Sequence, residues 1–314
     1  MTAAIVPGSQ IGNYRIERVL ERNAVCLAYD AVHLVLPRRA ILKVMSGGAE
    51  PDAVPILREA YILEALQHPG VIRVYESGLL PDRRPWSARE HVEGRTLHEV
   101  LRRGGLDRTD ALALLRDLAG VLEHAHERGV LHCGLRPSRV VVTGRQRGFP
   151  LCLADWSCAR PHDAAPQPYP VTPESRPYTA PELAAGEPID DRTDVFALGV
   201  LAYRMLTGAE PYEDRAVATA PDGATFHVPT ALRCPDAPHE LTALIDQMLA
   251  YTRDERPHSA DVHEALAWIA DLVAAAAQVG PRIRRPRWTP QIPFDDPCIP
   301  DAPMLFGDGR DERD

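Results

Sequence analysis

The hydrophobic pattern of this 314-residue chain changes its period about one third of the way along, and this change restricts the possible folds more than any other feature. Residues 14–45 alternate apolar and polar side chains, which predicts three strands. Residues 71–80 and 85–92 predict two more strands. Apolar side chains recur at helical spacing over residues 52–66, so one helix is expected there, ending before the Pro-Gly pair at 69–70.

Beyond residue 109 the apolar side chains follow the period of a helix. Helices are predicted from residue 109 onward and over 194–206, 241–249 and 259–279, with a short hairpin formed by 140–142 and 151–154. The helix at 194–206 is apolar on nearly all sides, which indicates that it is buried. The expected fold class is α+β, with a small β-rich lobe that has one main helix and a larger α-helical lobe.

These elements divide the chain into four segments. Residues 1–13 are expected to be an N-terminal extension, 14–92 the small lobe, 93–280 the large lobe and 281–314 a proline-rich tail. The tail is first basic and then acidic, and such a composition is typical of disorder.

The composition excludes several classes of function. A formal net charge of -9 argues against general nucleic-acid binding. Six cysteines form no C-x-x-C pair, a pattern that favours reduced thiols over disulfides or a zinc site. The N-terminus lacks the features of a signal peptide, and the longest apolar stretch, 265–279, is too short to cross a bilayer. We therefore expect a cytoplasmic protein without a membrane span.

Several short motifs occur in order along these elements. Lys43 lies in the strand-like segment AILKVM, and Glu59 lies in the predicted helix. The further motifs are LHCGLRPSRV at 131–140, ADWS at 154–157, APE at 180–182, DRTDVFALGV at 191–200 and RDERP at 253–257. Together they resemble the protein kinase family over roughly residues 14–275. The residues at 68–69 and 93–97 are most similar to those of bacterial serine/threonine kinases.

The resemblance implies a two-lobed protein-kinase-like fold that uses ATP and Mg²⁺. It would make Lys43 the phosphate-binding lysine and Glu59 its partner. It would also make Glu90 a hinge residue beside the nucleotide and Asp155 a metal ligand.

The departures from the family pattern lie at the residues that perform the chemistry. Gly134 stands in place of the catalytic aspartate and Arg139 in place of the metal-binding asparagine. Glycine can do no proton chemistry, and a guanidinium repels a divalent cation, so no catalytic residue is expected. Arg136 replaces the catalytic-loop lysine and could still contact a phosphate. The three glycines of the phosphate-binding loop, expected within 21–26, are absent.

Side chains at the back of the cleft also differ from the family. Ile41 stands where a small alanine faces the adenine, and it adds bulk there. Arg89 precedes the hinge and needs a carboxylate partner, because burying an unpaired charge is costly. The candidates for that partner are Glu59 and Asp155. If Arg89 takes Glu59, Lys43 is expected to lose its partner.

Asp155 is the one metal ligand left in the pattern, so a site for two Mg²⁺ ions is not expected. Arg139 replaces the second ligand and carries the opposite charge. We hypothesise that Arg139 pairs with Asp155, so that a fixed cation replaces the metal.

Three functions are compatible with these residues. The first is a bacterial pseudokinase, a non-catalytic regulatory module without a cofactor that binds a protein partner through its activation segment (155–182) or its tail. The second is a divergent serine/threonine kinase with weak phosphate transfer from ATP. The third is a nucleotide sensor that binds ATP without Mg²⁺ through Lys43, Arg136 and Arg139. An Ile41 side chain that fills the purine position would exclude the second and the third.

Overall fold

The computed structural model describes residues 4–22, 26–46, 54–144, 147–212 and 227–277. The predicted tail, 281–314, lies outside these residues.

The small lobe is an antiparallel sheet with the strand order β1-β2-β3-β4-β6-β5. Its strands are β1 (Gln10–Ile11), β2 (Tyr14–Arg22), β3 (Cys26–His33), β4 (Arg39–Met45), β5 (Val74–Leu79) and β6 (Pro85–Glu90). The sheet confirms the three strands predicted over 14–45 and the two predicted after the helix. β1 is additional, and it extends the sheet into the segment expected to precede the lobe.

The two faces of this sheet differ because successive side chains of a strand point to opposite sides. Leu42 and Val44 of β4 belong to an apolar cluster on one face. Ile41 and Lys43 therefore lie on the other face, where Lys43 meets the helix α1 (Val54–Ala65). The half-buried Ile41 thus shares a face with Lys43.

The large lobe consists mainly of helices around one apolar core. Its helices are α2 (Leu97–Arg102), α3 (Arg108–His126), α4 (Pro181–Ala185), α5 (Asp191–Thr207), α6 (Thr230–Arg233), α7 (His239–Met248) and α8 (Ser259–Ala277). The Asp190 side chain caps the N-terminus of α5, and Gly208, with a left-handed φ of 76°, ends it. Residues 193–203 of α5 are all buried, which confirms the prediction for this helix. The two lobes and the α+β class are confirmed.

Five short strands position the loops between the lobes. They are β7 (Gly94–Thr96), β8 (Val130–Leu131), β9 (Val140–Thr143), β10 (Leu151–Leu153) and β11 (Arg160–Pro161). The antiparallel pair β9–β10 confirms the predicted hairpin. β10 also bonds to the small lobe, because Leu153 donates its N–H to Gly70 at 2.7 Å. In the described part of the chain, no helix is long and apolar enough to cross a membrane.

Candidate functional site

The loop that follows β8 is held by one buried carboxylate of α5. Asp194 accepts hydrogen bonds from the backbone N–H groups of His132 at 2.7 Å and Cys133 at 2.8 Å. His126 contacts the same carboxylate at 2.9 Å. Burial alone would raise the pKa of Asp194, but the hydrogen bond and charge of His126, with the contacts of His132, outweigh it and hold the pKa below its ordinary value. Cys133 has a left-handed φ of 54°, and these bonds hold it in that conformation.

His132 links the two loops that form the floor of the cleft. Its Nδ1 accepts the N–H of Gly134 at 3.2 Å, so Nε2 carries the proton and donates to the backbone oxygen of Asp155 at 3.0 Å. The ring packs edge-to-face on Trp156, with the ring centroids 4.7 Å apart. Burial lowers the pKa of His132 to about 4, so the ring is neutral near pH 7. His132 is therefore part of the core between the loops.

Arg139 fills the space that a side chain at position 134 would need. A Cβ atom added to Gly134 would lie 2.0 Å from Nη1 of Arg139 and 3.0 Å from Cβ of Cys158. The same Nη1 donates a hydrogen bond to the Gly134 oxygen at 2.9 Å. Arg139 is 8% exposed. The glycine and the arginine therefore depend on each other, and a carboxylate at position 134 would require Arg139 to move.

Both carboxylate oxygens of Asp155 are engaged by cations. Lys43 donates to Oδ1 at 2.8 Å, and Nε of Arg139 lies 3.0 Å from Oδ2. The Arg139 contact is an ion pair and not an aligned hydrogen bond. Burial alone would raise the pKa of Asp155, but the charges of Lys43 and Arg139 outweigh it and hold the pKa well below its ordinary value. The predicted pairing of Arg139 with Asp155 is confirmed.

Arg89 takes Glu59, one of the two partners expected from the sequence. Its guanidinium donates two hydrogen bonds to the Glu59 carboxylate, at 2.5 and 2.8 Å, and a third to Ser87 at 3.2 Å. Glu59 also accepts the backbone N–H of Trp156 at 3.0 Å. The expectation that Lys43 then loses its partner is wrong, because Nζ stays 3.6 Å from Glu59 and also reaches Asp155. Lys43 lies between the two carboxylates, so one cation serves both.

Five side chains thus form a continuous set of ion pairs, which we call the cleft charge chain: Arg89, Glu59, Lys43, Asp155 and Arg139. Three cations and two carboxylates leave a net charge of +1 within it. The set joins β6, α1 and β4 of the small lobe to two loops of the large lobe. Removing one member of a buried pair leaves an uncompensated charge, which typically costs about 3–5 kcal/mol. The cleft charge chain therefore fixes the relative positions of these elements.

Glu90, the predicted hinge residue, has its side chain bound within the protein. Arg147, in the turn between β9 and β10, pairs with Glu90 and donates to the backbone oxygens of Pro69 at 3.1 Å and Val71 at 3.2 Å. Glu90 keeps one buried oxygen without a hydrogen bond among the described residues. The turn thus clamps the large lobe to the hinge.

Arg136, which was predicted as a possible phosphate contact, does not join the cleft charge chain. The side chain is half-buried, and its Nε is buried without a hydrogen-bond partner in the part of the chain that the structure describes. Arg136 lies near the activation segment. The pKa of the exposed Glu174 is lowered mainly by local hydrogen bonds and to a smaller extent by the positive charge of Arg136.

The residues of the cleft do not fit the two Mg²⁺ ions that kinases use. Mg²⁺ requires free oxygen ligands in octahedral geometry, whereas both oxygens of Asp155 already bind cations. Arg139 places a positive charge where the second ligand would be. Across the described ranges, no group of three or more His, Cys, Asp or Glu side chains is placed to hold a metal. A metal could bind Asp155 only by displacing Lys43 or Arg139.

Comparison with known families identifies the class of protein that this fold and cleft define. Residues 24–268 match the protein kinase domain. The chain therefore belongs to the protein kinase family.

Bacterial serine/threonine kinases are among its relatives. The chain is 30% identical over 316 residues to the serine/threonine-protein kinase pkn2 of Myxococcus xanthus, and the match covers 95% of this chain and 37% of that protein. It is 29% identical to PknA of Mycobacterium tuberculosis, with 89% and 64% covered. The crystal structure of the PknI kinase domain of Mycobacterium tuberculosis matches with a TM-score of 0.63 at 26% identity, covering 85% of this chain and 100% of that one. The chain spans less than two thirds of the length of these curated relatives.

Sequence reasoning did not find two features of the site. The clamp made by Arg147 has no motif, because its partner Glu90 is 57 positions away in the sequence. The dependence of Gly134 on Arg139 was also missed, although both substitutions stand in one short loop. The sequence did contain a sign of this dependence, because residues 134 and 139, only five positions apart, both differ from the family pattern.

Proposed function

We propose that this member of the protein kinase family is a pseudokinase, which does not transfer phosphate and acts as a protein-binding regulatory module. The observation that carries the proposal is the position of Arg139. Its guanidinium fills the volume beside Gly134 in which kinases place their base, and it pairs with Asp155. One side chain thus obstructs the general base and the metal ligand together.

The cleft charge chain gives such a module a physical basis. Active kinases need both a lysine–glutamate pair and a metal bound to the aspartate to hold their catalytic elements in place. Here Lys43, Arg89 and Arg139 supply the positive charge from within the chain. The lobes can then keep one arrangement without a bound nucleotide. A protein partner at the activation segment or the tail, and a cytoplasmic location, belong to the same proposal.

A divergent serine/threonine kinase is the second candidate, and two observations favour it. The relatives are named serine/threonine-protein kinases. Lys43 also remains within 3.6 Å of Glu59 and 2.8 Å of Asp155. Loss of a positioned general base costs about 10²–10⁴ in rate, so weak transfer would survive the loss of the base alone.

A nucleotide sensor that works without metal is the third candidate. The net charge of +1 in the cleft charge chain favours an anion over a cation, as does the Nε of Arg136, which has no hydrogen-bond partner among the described residues. The triphosphate of ATP would supply that anion.

A thermal-shift titration of the protein with ATP, with and without Mg²⁺, separates the three. A ligand at 100 times its Kd stabilises the folded state by about 2.7 kcal/mol, which is readily detected. The pseudokinase proposal predicts no shift at millimolar ATP, and the sensor predicts a shift that is independent of metal. A shift that requires Mg²⁺, together with transfer of labelled γ-phosphate that Lys43→Met abolishes, would refute the proposal and establish the kinase.

A further inference from the structure

A furrow crosses the large lobe below the end of the activation segment. One part, of about 380 Å³, has a floor of Phe196, Tyr212 and Tyr251. The other part, of about 370 Å³, has an acidic wall. Pro181 and Tyr251 line both parts, so the two form one continuous surface, which we call the furrow.

The first part of the furrow is apolar and aromatic. Phe196 and Tyr212 are stacked, with their ring planes 11° apart and the centroids 6.2 Å apart. Tyr251 is 53% exposed beside them. Pro177 and Pro181 of the activation segment and α4 complete the wall. Grooves lined by aromatic rings bind proline-rich segments, because a polyproline II helix is already extended and loses little entropy on binding.

The second part of the furrow is negative. Three carboxylates, Glu182, Glu187 and Asp254, line it beside one cation, Arg253. Glu182 is committed to the buried Arg256 at 2.8 Å. Glu187 is exposed and makes no ion pair within the described ranges. The Asp254 side chain is 71% exposed, but its Oδ1 pairs with Arg192 at 2.9 Å and with Arg253 at 3.3 Å. The Glu187 carboxylate and Oδ2 of the exposed Asp254 side chain are therefore the oxygens that a basic ligand can reach.

We propose that the furrow binds residues 282–294 of the same chain. This segment, RIRRPRWTPQIPF, contains no acidic residue; its four arginines lie within 282–287, and both of its aromatic residues and two of its three prolines follow within 288–294. Its arginines complement the acidic part of the furrow, and its prolines and aromatic rings complement the apolar part. The pairing does not depend on the pseudokinase assignment, because it involves no residue of the cleft.

The segment is long enough to reach the furrow within one molecule. The 19-residue helix α8 begins beside the furrow, where Ser259 bonds to Asp191 at 2.7 Å, and it carries the chain about 28 Å away at 1.5 Å per residue. The ten residues from 277 to 287 span up to about 33 Å, and the 17 residues to 294 up to about 56 Å. The chain can therefore return from the end of α8 to its beginning.

Occupation of the furrow would regulate the surface that a partner needs. The bound segment would lie against Arg176, Pro177 and Thr179 of the activation segment, which line the same furrow. A protein partner that recognises the activation segment would then have to displace the tail. The tail would thus be an intramolecular inhibitor of partner binding, and this last step, unlike the pairing itself, rests on the protein partner of the proposed function.

Hydrogen–deuterium exchange on the full chain tests this proposal. The variant Arg284→Glu/Arg287→Glu reverses two tail charges within the segment, and Arg310→Glu/Arg313→Glu makes the same charge change outside it. We expect peptides covering 176–182 and 250–254 to exchange roughly threefold faster or more in the first variant and at the wild-type rate in the second. On the other side of the contact, Glu187→Lys/Tyr251→Ala changes two exposed residues and should accelerate exchange in 282–294.

Three results would overturn the proposal. One is equal exchange in wild type and Arg284→Glu/Arg287→Glu. Another is an equal response to the two tail variants, since that would show a general effect of charge. The third is a difference that disappears on tenfold dilution, because it would assign the furrow to the tail of a second copy. Equal melting temperatures of all variants would verify that the fold itself is intact.

Discussion

Replacing Arg89 with methionine would remove a buried cation from the cleft charge chain and keep most of the side-chain volume. Arg89 is 1% exposed, and Glu59, which accepts two of its hydrogen bonds, is 3% exposed. Without Arg89, Glu59 keeps the N–H of Trp156 at 3.0 Å and the more distant Lys43 at 3.6 Å. Breaking a buried pair costs about 3–5 kcal/mol. Because Lys43 compensates part of the charge, we expect the lower value, about 3 kcal/mol.

Chemical and thermal denaturation followed by tryptophan fluorescence would measure this loss. For a domain of this size, about 3 kcal/mol lowers Tm by roughly 6–12 °C. The control is Arg15→Met, which removes an arginine whose side chain is 56% exposed and lies 3.9 Å from Glu17. An exposed pair of this kind contributes little, so the control should change the free energy of unfolding by less than about 0.5 kcal/mol.

The double variant Arg89→Met/Glu59→Gln distinguishes a charge effect from a packing effect. Once both charges are gone no uncompensated ion remains, so the double variant should be more stable than the sum of the single losses predicts. A loss below about 1 kcal/mol for Arg89→Met, or strict additivity in the double variant, would refute the reasoning.

Three further predictions follow from the loops of the cleft. Gly134→Ala should cost about 1–3 kcal/mol, since its Cβ would lie 2.0 Å from Nη1 of Arg139, and Arg139→Asn should relieve that cost in a thermal melt. The stability that the neutral His132 ring supports should be complete above pH 6.5 and fall by up to roughly 3 kcal/mol toward pH 4, because only the unfolded ring takes up a proton in that window. Arg147→Ala should accelerate hydrogen exchange in residues 69–73, since three contacts to the hinge region are lost.

Each of these predictions has its own control. Gly144→Ala, at a glycine with no described atom within 4 Å of its Cβ and without a left-handed φ, separates the clash at Gly134 from the general effect of replacing a glycine. Burial also lowers the pKa values of His68 and His124, so the ring signals of His132 must be followed individually by NMR. A charged His132 ring at pH 5.5 would contradict the assignment. Unchanged exchange in residues 69–73 would show that the backbone hydrogen bonds to β10 hold this segment without Arg147.

If, as proposed, the chain does not transfer phosphate, the position of Arg139 limits how catalysis could be introduced by substitution. Gly134→Asp alone would place a carboxylate against Arg139, and Arg139→Asn alone would leave Asp155 paired with Lys43. Positions 134 and 139 therefore have to change together. The Arg139 guanidinium occupies the space that a side chain at position 134 would need, and it places a positive charge where the second metal ligand would be.

The order of the elements could be predicted from the sequence because the periods of strands and helices are local properties. The three strands over 14–45, the helix α1 and the buried α5 each repeat their apolar side chains over enough residues to be recognised. The two-residue strands β1, β8 and β11 are too short for any period, and the pairing that forms them is made at a distance in sequence or across a turn. The motifs also predicted that Arg139 contacts Asp155. The two residues carry opposite charges, and both stand at positions where the family pattern has metal ligands.

Only the tertiary structure decided how the remaining charges are shared. From the sequence, either Glu59 or Asp155 could be the carboxylate partner of Arg89. The packing of α1 against β6 brings Glu59 to it. It suggested that Lys43 would then be unpaired, whereas the fold places Nζ between two carboxylates, one of them 112 positions away. Ion pairing depends on distances of a few ångströms between elements that are far apart in the chain, and such distances are set by the packing of the whole domain and not by any local pattern.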